Sequence, residues 1–230
     1  MLTDPVFRDR IGHLIRIAAR NGLDLPGGVD AVLLSHLHAD HTDLPTLRRI
    51  ARRTPTIAPY PAGEWLARHG LETVRELRPG AELRVGRVRV RATPAIHPAH
   101  RWPFGPAADP VGYLLRGSRS AYFAGDTDLF PAMGELRGSV DAALLPVWGW
   151  GPRLGPGHLD PERAARAVAL IEPAVAIPIH WGTFTVRRPG WLGRRAADPA
   201  SPAWEFAALT GRYAPAVDVR VLVPGERTEL

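Results

Sequence analysis

Metal-binding side chains are concentrated in one short segment of this chain. Its members are His36, His38, Asp40 and His41. The segment follows an apolar run at residues 29–35 that predicts a buried strand. At a strand end the first two histidines project to the same side, whereas the last two side chains lie in the following turn and face a second position. Because imidazole and carboxylate together suit zinc, with iron or manganese as alternatives, the segment predicts a divalent metal site.

Further candidate ligands also follow predicted strands. They are His97, Asp126 and His180, which come after the runs 88–95, 121–125 and 175–179. Side chains at strand ends are held rigidly, as a metal site requires. Gly125 lets the chain turn sharply, so that Asp126 points towards the site. His100 competes with His97 for one ligand position; the preceding Pro94-Ala95 pair favours His97, and His100 stays the alternative.

The composition is that of an ordinary globular protein. With 230 residues, 45% of them hydrophobic and 23% charged, the chain is long enough for one sizeable core, and we expect a single domain over residues 1–230. It contains no cysteine, which excludes disulfides and thiolate metal ligands and fits a cytoplasmic location. No apolar run is long enough to span a membrane, since the longest, 167–179, contains Glu172, Pro173 and Pro178. From residues 1–5 we expect no signal peptide.

The charge pattern does not predict a nucleic-acid partner. The net charge is +6, but every basic side chain is arginine, and the arginine pairs are scattered over positions 48–49, 52–53, 187–188 and 194–195. A compositional bias explains this pattern as well as a basic groove would. We therefore expect a small-molecule substrate and no nucleic acid. The oligomeric state stays open, with a homo-oligomer among the alternatives.

Helix and strand patterns alternate after residue 29. Helices are predicted at 44–53, 63–69, 160–171 and 202–212. The first has Asp43 and Pro45 as start signals, and the third has Asp160 as N-cap and Pro161 at its first position. Strands are predicted at 29–35, 56–58, 82–85, 88–95, 111–116, 120–124, 141–147, 174–179 and 217–223. Mixed strands and helices imply sheets with helices on their outer faces, so the predicted class is α/β.

These motifs together resemble the metallo-β-lactamase superfamily over nearly the whole chain. The resemblance rests on residues 2–5, 36–41, 94–97, 123–127 and 179–184. It implies an αβ/βα four-layer sandwich of two mixed sheets flanked by helices. Further similarity points to the branch that holds N-acyl phosphatidylethanolamine phospholipase D and L-ascorbate-6-phosphate lactonase, and rests on 145–147, 151–153, 158, 160–162 and 180–182. That branch carries a hairpin before the segment matching residues 2–5, so we expect this fold to lack its first hairpin and to leave a sheet edge unpaired.

Carried over by position, the resemblance implies a dinuclear metal site. The first metal would be held by His36, His38 and His97, the second by Asp40, His41 and His180, and Asp126 would bridge both. A metal-bridging hydroxide, oriented by Asp40, would attack a phosphodiester, a lactone or a related small-molecule substrate. The cofactors implied are two divalent ions, zinc first, with manganese or iron as alternatives.

Three more residues have two interpretations each. His158 matches a histidine of the phospholipase branch, and is either a proton donor to the leaving group or a structural residue of its loop. Asp4 either orients the metal-binding loop or is a turn residue before Pro5. Arg153 either binds a substrate phosphate or lies on the surface.

Two other activities occur on folds of this kind. An iron-dependent oxidoreductase typically has Glu at the position of His38, so the histidine favours hydrolysis. A nucleic-acid phosphodiesterase usually carries an extra insertion that grips its substrate, and no segment here is long enough for one. The sequence therefore predicts a metal-dependent hydrolase, with these two activities as alternatives.

Overall fold

The computed structural model describes residues 1–18, 28–52, 54–149, 154–187 and 200–230. The strands in chain order are β1 (Leu2–Thr3), β2 (Arg10–Ile11), β3 (Leu14–Arg16), β4 (Val32–Leu33), β5 (Thr56–Pro59), β6 (Val74–Leu77), β7 (Glu82–Val85), β8 (Val88–Pro94), β9 (Val111–Arg116), β10 (Ser120–Phe123), β11 (Ala142–Pro146), β12 (Val175–Ile179), β13 (Phe184–Val186) and β14 (Asp218–Val219). The helices are α1 (Leu44–Ile50), α2 (Gly63–Arg68), α3 (Pro161–Ile171) and α4 (Ser201–Tyr213), with a 3₁₀ helix at Pro131–Leu136.

The chain divides into two units. The first contains Met1–Arg8 and Asp24–Asp126, and the second contains Asp9–Leu23 and Thr127–Leu230. The single domain expected over residues 1–230 remains a prediction. Within the described ranges, none of the helices combines the length and the apolar character needed to cross a bilayer.

A parallel sheet in the order β1-β4-β5-β6 forms one layer of the first unit. Its central strands come from apolar runs because a parallel sheet is buried on both faces. Val32 and Leu33 of β4 are wholly buried, and the apolar residues of α1 and α2 pack into the same core through Leu47 and Leu66. This core holds the end of β4 in place, and the metal-binding segment begins a few residues after it.

Helix α1 begins at the position that its capping residue predicts. The Asp43 carboxylate accepts a hydrogen bond from the Thr46 backbone N–H at 3.2 Å, and Arg8 donates to the same carboxylate at 2.5 Å. The helix ends at Ile50 and is shorter than the sequence predicts. The C-cap residue Ala51 leaves the helical conformation, with φ −114° and ψ 14°, while its backbone N–H still donates to the Leu47 carbonyl at 2.7 Å.

The four strands β7 to β10 of the first unit form an antiparallel meander. Their observed bounds agree with the sequence prediction to within a residue, and in β7 and β8 the alternation between apolar and charged side chains is a local signal. In β8, for example, Val90 and Ala92 are buried while Arg89 and Arg91 are exposed. The end of β8 leads to His97, and the end of β10 leads to Asp126.

The second unit contains a parallel set, β11-β12-β14, and an antiparallel sheet of three strands, β2-β3-β13. The sequence does not predict the antiparallel sheet, because β2 and β3 are very short and β13 joins them from the far end of the chain. Helix α3 follows its prediction closely. Asp160 caps it by accepting from the Arg163 backbone N–H at 2.8 Å, and the helix ends where Glu172 adopts a left-handed φ of 48°.

Candidate metal centre

Histidine side chains of the first unit gather at the end of β4. The ring centroid of His36 lies 4.6 Å from that of His38, 4.6 Å from that of His97 and 4.1 Å from that of His41. The potential ligand atoms of His36, His38 and His97 all lie within 4.8 Å of one another. Among these atoms, His97 Nε2 and His38 Nδ1 are 3.0 Å apart. The turn after β4 and the segment after β8 therefore bring three imidazoles to a common point.

Asp4, which directly follows β1, holds this turn together. Its carboxylate accepts hydrogen bonds from the Ser35 backbone N–H at 2.7 Å, from the Ser35 hydroxyl at 2.5 Å and from His41 Nδ1 at 2.7 Å. The Asp4 backbone has a φ of 41°, a left-handed conformation that a short polar residue tolerates. Since Asp4 already accepts three hydrogen bonds from the turn, its position fits an orienting role better than a direct ligand role.

The hydrogen bond from Asp4 determines which nitrogen of His41 faces the cluster. With Nδ1–H donating to Asp4, Nε2 points towards Asp126 Oδ2 at 3.4 Å and Asp40 Oδ2 at 3.8 Å. Burial opposes a charge on this ring, but the carboxylates of Asp126 and Asp40 outweigh burial and raise the pKa of His41 well above its ordinary value. A carboxylate that engages Nδ1 and directs Nε2 towards the site is the usual arrangement of a histidine metal ligand.

Burial favours the neutral form of two neighbouring histidines, and the neutral imidazole is the form that binds a metal. Burial lowers the pKa of His36 well below its ordinary value, and burial also lowers the pKa of His38. His36 Nδ1 donates to the Ser35 hydroxyl oxygen at 3.0 Å, which leaves Nε2 with a lone pair. That Nε2 atom is buried and has no hydrogen-bond partner among the described residues. Leaving a buried polar atom unpaired costs about 1–3 kcal/mol, and a metal ion at this point would remove the cost. The residues present therefore fit a metal of the zinc type.

Asp126 enters the cluster from the end of β10. Its Oδ2 lies 3.4 Å from His41 Nε2 and 4.0 Å from His97 Nε2, so it stands between these two rings. Gly125 precedes it with a φ of +62°, and a Cβ at this glycine would lie 2.5 Å from the Cβ of Ser35. Both the turn and the close approach to Ser35 require glycine here.

His180 belongs to the second unit, where it directly follows β12. Its Nδ1 donates to the Trp148 backbone carbonyl oxygen at 2.5 Å, which leaves Nε2 with the lone pair. The His180 backbone has a φ of 64°, a strained left-handed value for a histidine, and such strain is concentrated at functional positions. Its assignment as a ligand of the second metal stays a prediction.

His158, also in the second unit, lies on a loop that polar contacts hold in place. Asp128 forms an ion pair with Arg163 and accepts from the Gly157 backbone N–H at 3.2 Å. Arg163 also donates to the His158 backbone carbonyl at 3.4 Å. The His158 ring packs against Gly149, where an added Cβ would lie 3.3 Å from the ring. These contacts orient the imidazole, and its role as a proton donor stays a prediction.

The remaining predicted residues differ in their positions. His97 is buried in the cluster, whereas His100 is exposed and contributes only its backbone carbonyl, which accepts from His38 Nε2 at 3.2 Å. Arg153 lies outside the described residues. Two residues that contact the site were not predicted from the sequence, Ser35 and Arg101. The Arg101 guanidinium donates to the Leu37 carbonyl and, at 3.1 Å, to the Thr42 carbonyl. Ser35 lies next to the motif, and this adjacency was a usable signal, but nothing local marks Arg101.

Comparison with known proteins supports the same interpretation. A family model described as Beta-lactamase superfamily domain matches residues 1–181. A UPF0173 metal-dependent hydrolase of Methanopyrus kandleri is 35% identical over 209 residues, which cover 87% of this chain and 82% of that protein. Igni18, described as a novel metallo hydrolase of the archaeon Ignicoccus hospitalis, has a TM-score of 0.65 and 26% identity, and the match covers 86% of this chain and 77% of that one.

A further solved structure shares the fold alone. CmlA, described as a diiron β-hydroxylase of Streptomyces venezuelae, has a TM-score of 0.67 at 23% identity, and the match covers 87% of this chain and 45% of that longer protein. The predicted fold class is confirmed by these matches, whereas the resemblance to the phospholipase and lactonase branch stays a prediction. With its metal-ligand cluster and a family match over residues 1–181, the chain belongs to the Beta-lactamase superfamily domain family and has the metallo-β-lactamase fold.

Proposed function

We propose that the chain, a metal-dependent hydrolase of the metallo-β-lactamase fold, uses two divalent ions to hydrolyse a phosphodiester, a lactone or a related small molecule. The observation that carries the proposal is the buried cluster of His36, His38, His41, His97 and Asp126, in which His36 Nε2 has no hydrogen-bond partner among the described residues. Zinc is the proposed metal, because the donors are imidazole and carboxylate and the chain contains no thiolate.

The proposed division of ligands follows the geometry of the first unit. His36, His38 and His97 would hold one ion, since their potential ligand atoms lie within 4.8 Å of one another. Asp40 and His41 would bind the second ion, with His180 as a further predicted ligand. Asp126 would bind both ions. When bound, such ions supply an activated water and polarise the P=O or C=O group of the substrate.

The protein side chains would contribute orientation and proton transfer. Asp4 keeps the Nδ1 proton of His41 engaged, so that Nε2 remains directed at Asp126 and Asp40. Asp40 is only partly buried, and its carboxylate would accept a hydrogen bond from the attacking water and orient it. His158 would donate a proton to the leaving group, a contribution that is typically worth about 10²–10⁴-fold in rate.

A second candidate function is an iron-dependent oxidation, because the neighbour CmlA is described as a diiron hydroxylase. The ligand set separates the two proposals. Imidazole at position 38 favours hydrolysis, whereas the oxidoreductases typically have a carboxylate there. Iron in place of zinc, together with oxygen consumption, would support this second candidate.

The test is elemental analysis of protein purified without chelator, combined with a hydrolysis panel of bis(p-nitrophenyl) phosphate, γ-butyrolactone and a thioester. We expect about two ions per chain and turnover of at least one probe. Asp126→Ala should abolish turnover and release metal. The matched control is His69→Ala, since His69 donates to the Trp65 carbonyl at 2.7 Å and takes no part in the cluster. Turnover that persists in Asp126→Ala would contradict the proposal.

A further inference from the structure

Large apolar side chains are exposed at sequence positions before and after His97, a proposed metal ligand. Ile96 is 50% exposed, Trp102 is 81% exposed and Phe104 is 96% exposed. A tryptophan or phenylalanine ring offers about 150–250 Å² of surface for burial, so leaving two of them in water forgoes a large favourable contact. Trp102 and Phe104 form an exposed apolar pair, and an exposed pair of this size indicates a binding surface.

The loop that carries the pair has a defined shape. Arg101 N–H donates to the Pro106 carbonyl at 2.9 Å, and Gly105 N–H donates to the Arg101 carbonyl at 2.8 Å. Ala108 N–H donates to the Ala99 carbonyl at 3.1 Å and closes the loop. A Cβ at Gly105 would lie 2.6 Å from the Cβ of Arg101, so the chain packs tightly there. A structured loop therefore keeps the Trp102 and Phe104 rings exposed to solvent.

The base of the loop is fastened to the metal-binding turn. Arg101 donates to the carbonyls of Leu37 and Thr42, and its guanidinium lies 5.0 Å from the Trp65 ring centroid. Burial lowers the pKa of Arg101, which agrees with a guanidinium committed to the protein interior. His38 Nε2 donates to the His100 carbonyl at 3.2 Å. The loop that carries the two exposed rings therefore contacts His38, a proposed metal ligand.

The charge of the loop indicates what it binds. Arg101 is the sole charged residue in the segment 99–108, and it points back to the metal-binding turn. An anionic lipid surface would be held by several basic side chains, and the loop presents none outward. We propose that Trp102 and Phe104 bind an apolar portion of the substrate, an alkyl or aromatic group, while its polar scissile group reaches the histidine cluster. This inference rests on the proposed function and adds a substrate class to it.

The test measures how recognition depends on the length of an alkyl group. Two series serve as probes: γ-lactones from butyrolactone to dodecalactone for turnover, and methyl-, hexyl- and octylphosphonate for calorimetric binding to the zinc-loaded protein. In the wild type we expect kcat/KM, or affinity, to rise about two- to fourfold per methylene over the first few methylenes. In the double variant Trp102→Ser, Phe104→Ser this slope should fall to near zero, while the metal content stays at the wild-type level.

Trp204→Ser is the matched control, since Trp204 is 60% exposed on α4 and is equally apolar. It should keep the wild-type slope. An equal slope in the double variant, or a flat slope in the wild type, would overturn the inference. So would vesicle sedimentation in which phosphatidylcholine binds the wild type and not the double variant, because the loop would then be a membrane anchor. Chain-length-dependent phosphonate binding without turnover of any probe would contradict the proposed function and support this inference.

Discussion

At the scale of single residues, Asp4 selects the nitrogen with which His41 can meet a metal. The carboxylate accepts a hydrogen bond from Nδ1 at 2.7 Å, so Nε2 is the nitrogen that faces Asp126. A carboxylate in this position also makes the imidazole a stronger donor. We therefore expect Asp4, which is far from the motif in sequence, to orient the site.

Asp4→Asn tests this role, because it changes the proton on the imidazole and preserves the size of the side chain. The asparagine oxygen can still accept from Ser35, but its amide would donate to His41 Nδ1 and place the proton on Nε2. We expect metal affinity to fall about 10–100-fold while the melting temperature changes little. Metal titration and thermal unfolding measure the two effects. Asp30→Asn, at an exposed position in the same unit, is the control, and unchanged metal affinity in Asp4→Asn would contradict the role.

At the scale of elements, the end of each strand decides where its ligand points. The turn after β10 shows this most clearly, because Gly125 has a φ of +62° and its Cα faces Ser35. Ser35 in turn contacts both Asp4 and His36. A side chain added at Gly125 would therefore press on the serine that contacts both Asp4 and His36.

Gly125→Ala should destabilise the protein by about 2–5 kcal/mol, from left-handed strain and from overpacking against Ser35. Gly86→Ala is a matched control with a φ of +57°, because nothing lies within 4 Å of its added Cβ. The control should cost only the strain, about 1–2 kcal/mol. Denaturant unfolding gives both free energies. An equal decrease in the free energy of unfolding in both variants would show that the close approach to Ser35 does not contribute to the destabilisation.

The loop before α3 is a second case at this scale. Asp128 holds it through Arg163 and the Gly157 N–H, and we expect this to set the orientation of His158. Asp128→Asn should lower kcat, mostly for substrates with poor leaving groups, and have little effect on KM. In the background of His158→Ala the same change should have no further effect. Glu172→Gln, which breaks the ion pair of Arg137 at 2.9 Å, is the control. Additive losses would mean that Asp128 acts independently of His158.

At the scale of the whole molecule, the proposed metals would cross-link segments that are distant in sequence. Three such segments of the first unit are the turn at 36–41, His97 and Asp126. Ligands that bind only the folded state stabilise it by about 4 kcal/mol at 1,000 times their dissociation constant. For a chain of this length that amounts to a rise in melting temperature of about 10 °C.

Chelation should therefore lower the melting temperature by about 10 °C, and added zinc should restore it. Thermal unfolding with and without EDTA, followed by dialysis against zinc, measures the effect. The variant His36→Ala provides the control, because its melting temperature should no longer respond to chelator to the same extent. A wild-type melting temperature that ignores EDTA would contradict a tightly held metal pair.

The sequence by itself determined the features that depend on neighbouring residues. Strand ends with a predicted ligand, the caps Asp43 and Asp160, and the alternation of β7 and β8 are all local patterns. They were predictable because backbone geometry repeats over a few residues. The metal-binding segment at 36–41 is local for the same reason, and the structure places its histidines together.

Only the tertiary structure decided the contacts between distant residues. Asp4 and Ser35 are 31 positions apart, and Arg101 and Leu37 are 64 apart, so no periodicity could connect them. The sequence left His97 and His100 as alternatives; the path of the chain after β8 buries the first and exposes the second. The pairing of β13 with β3 is likewise non-local. Such contacts depend on where whole elements pack, and side-chain types along the chain do not encode that position locally.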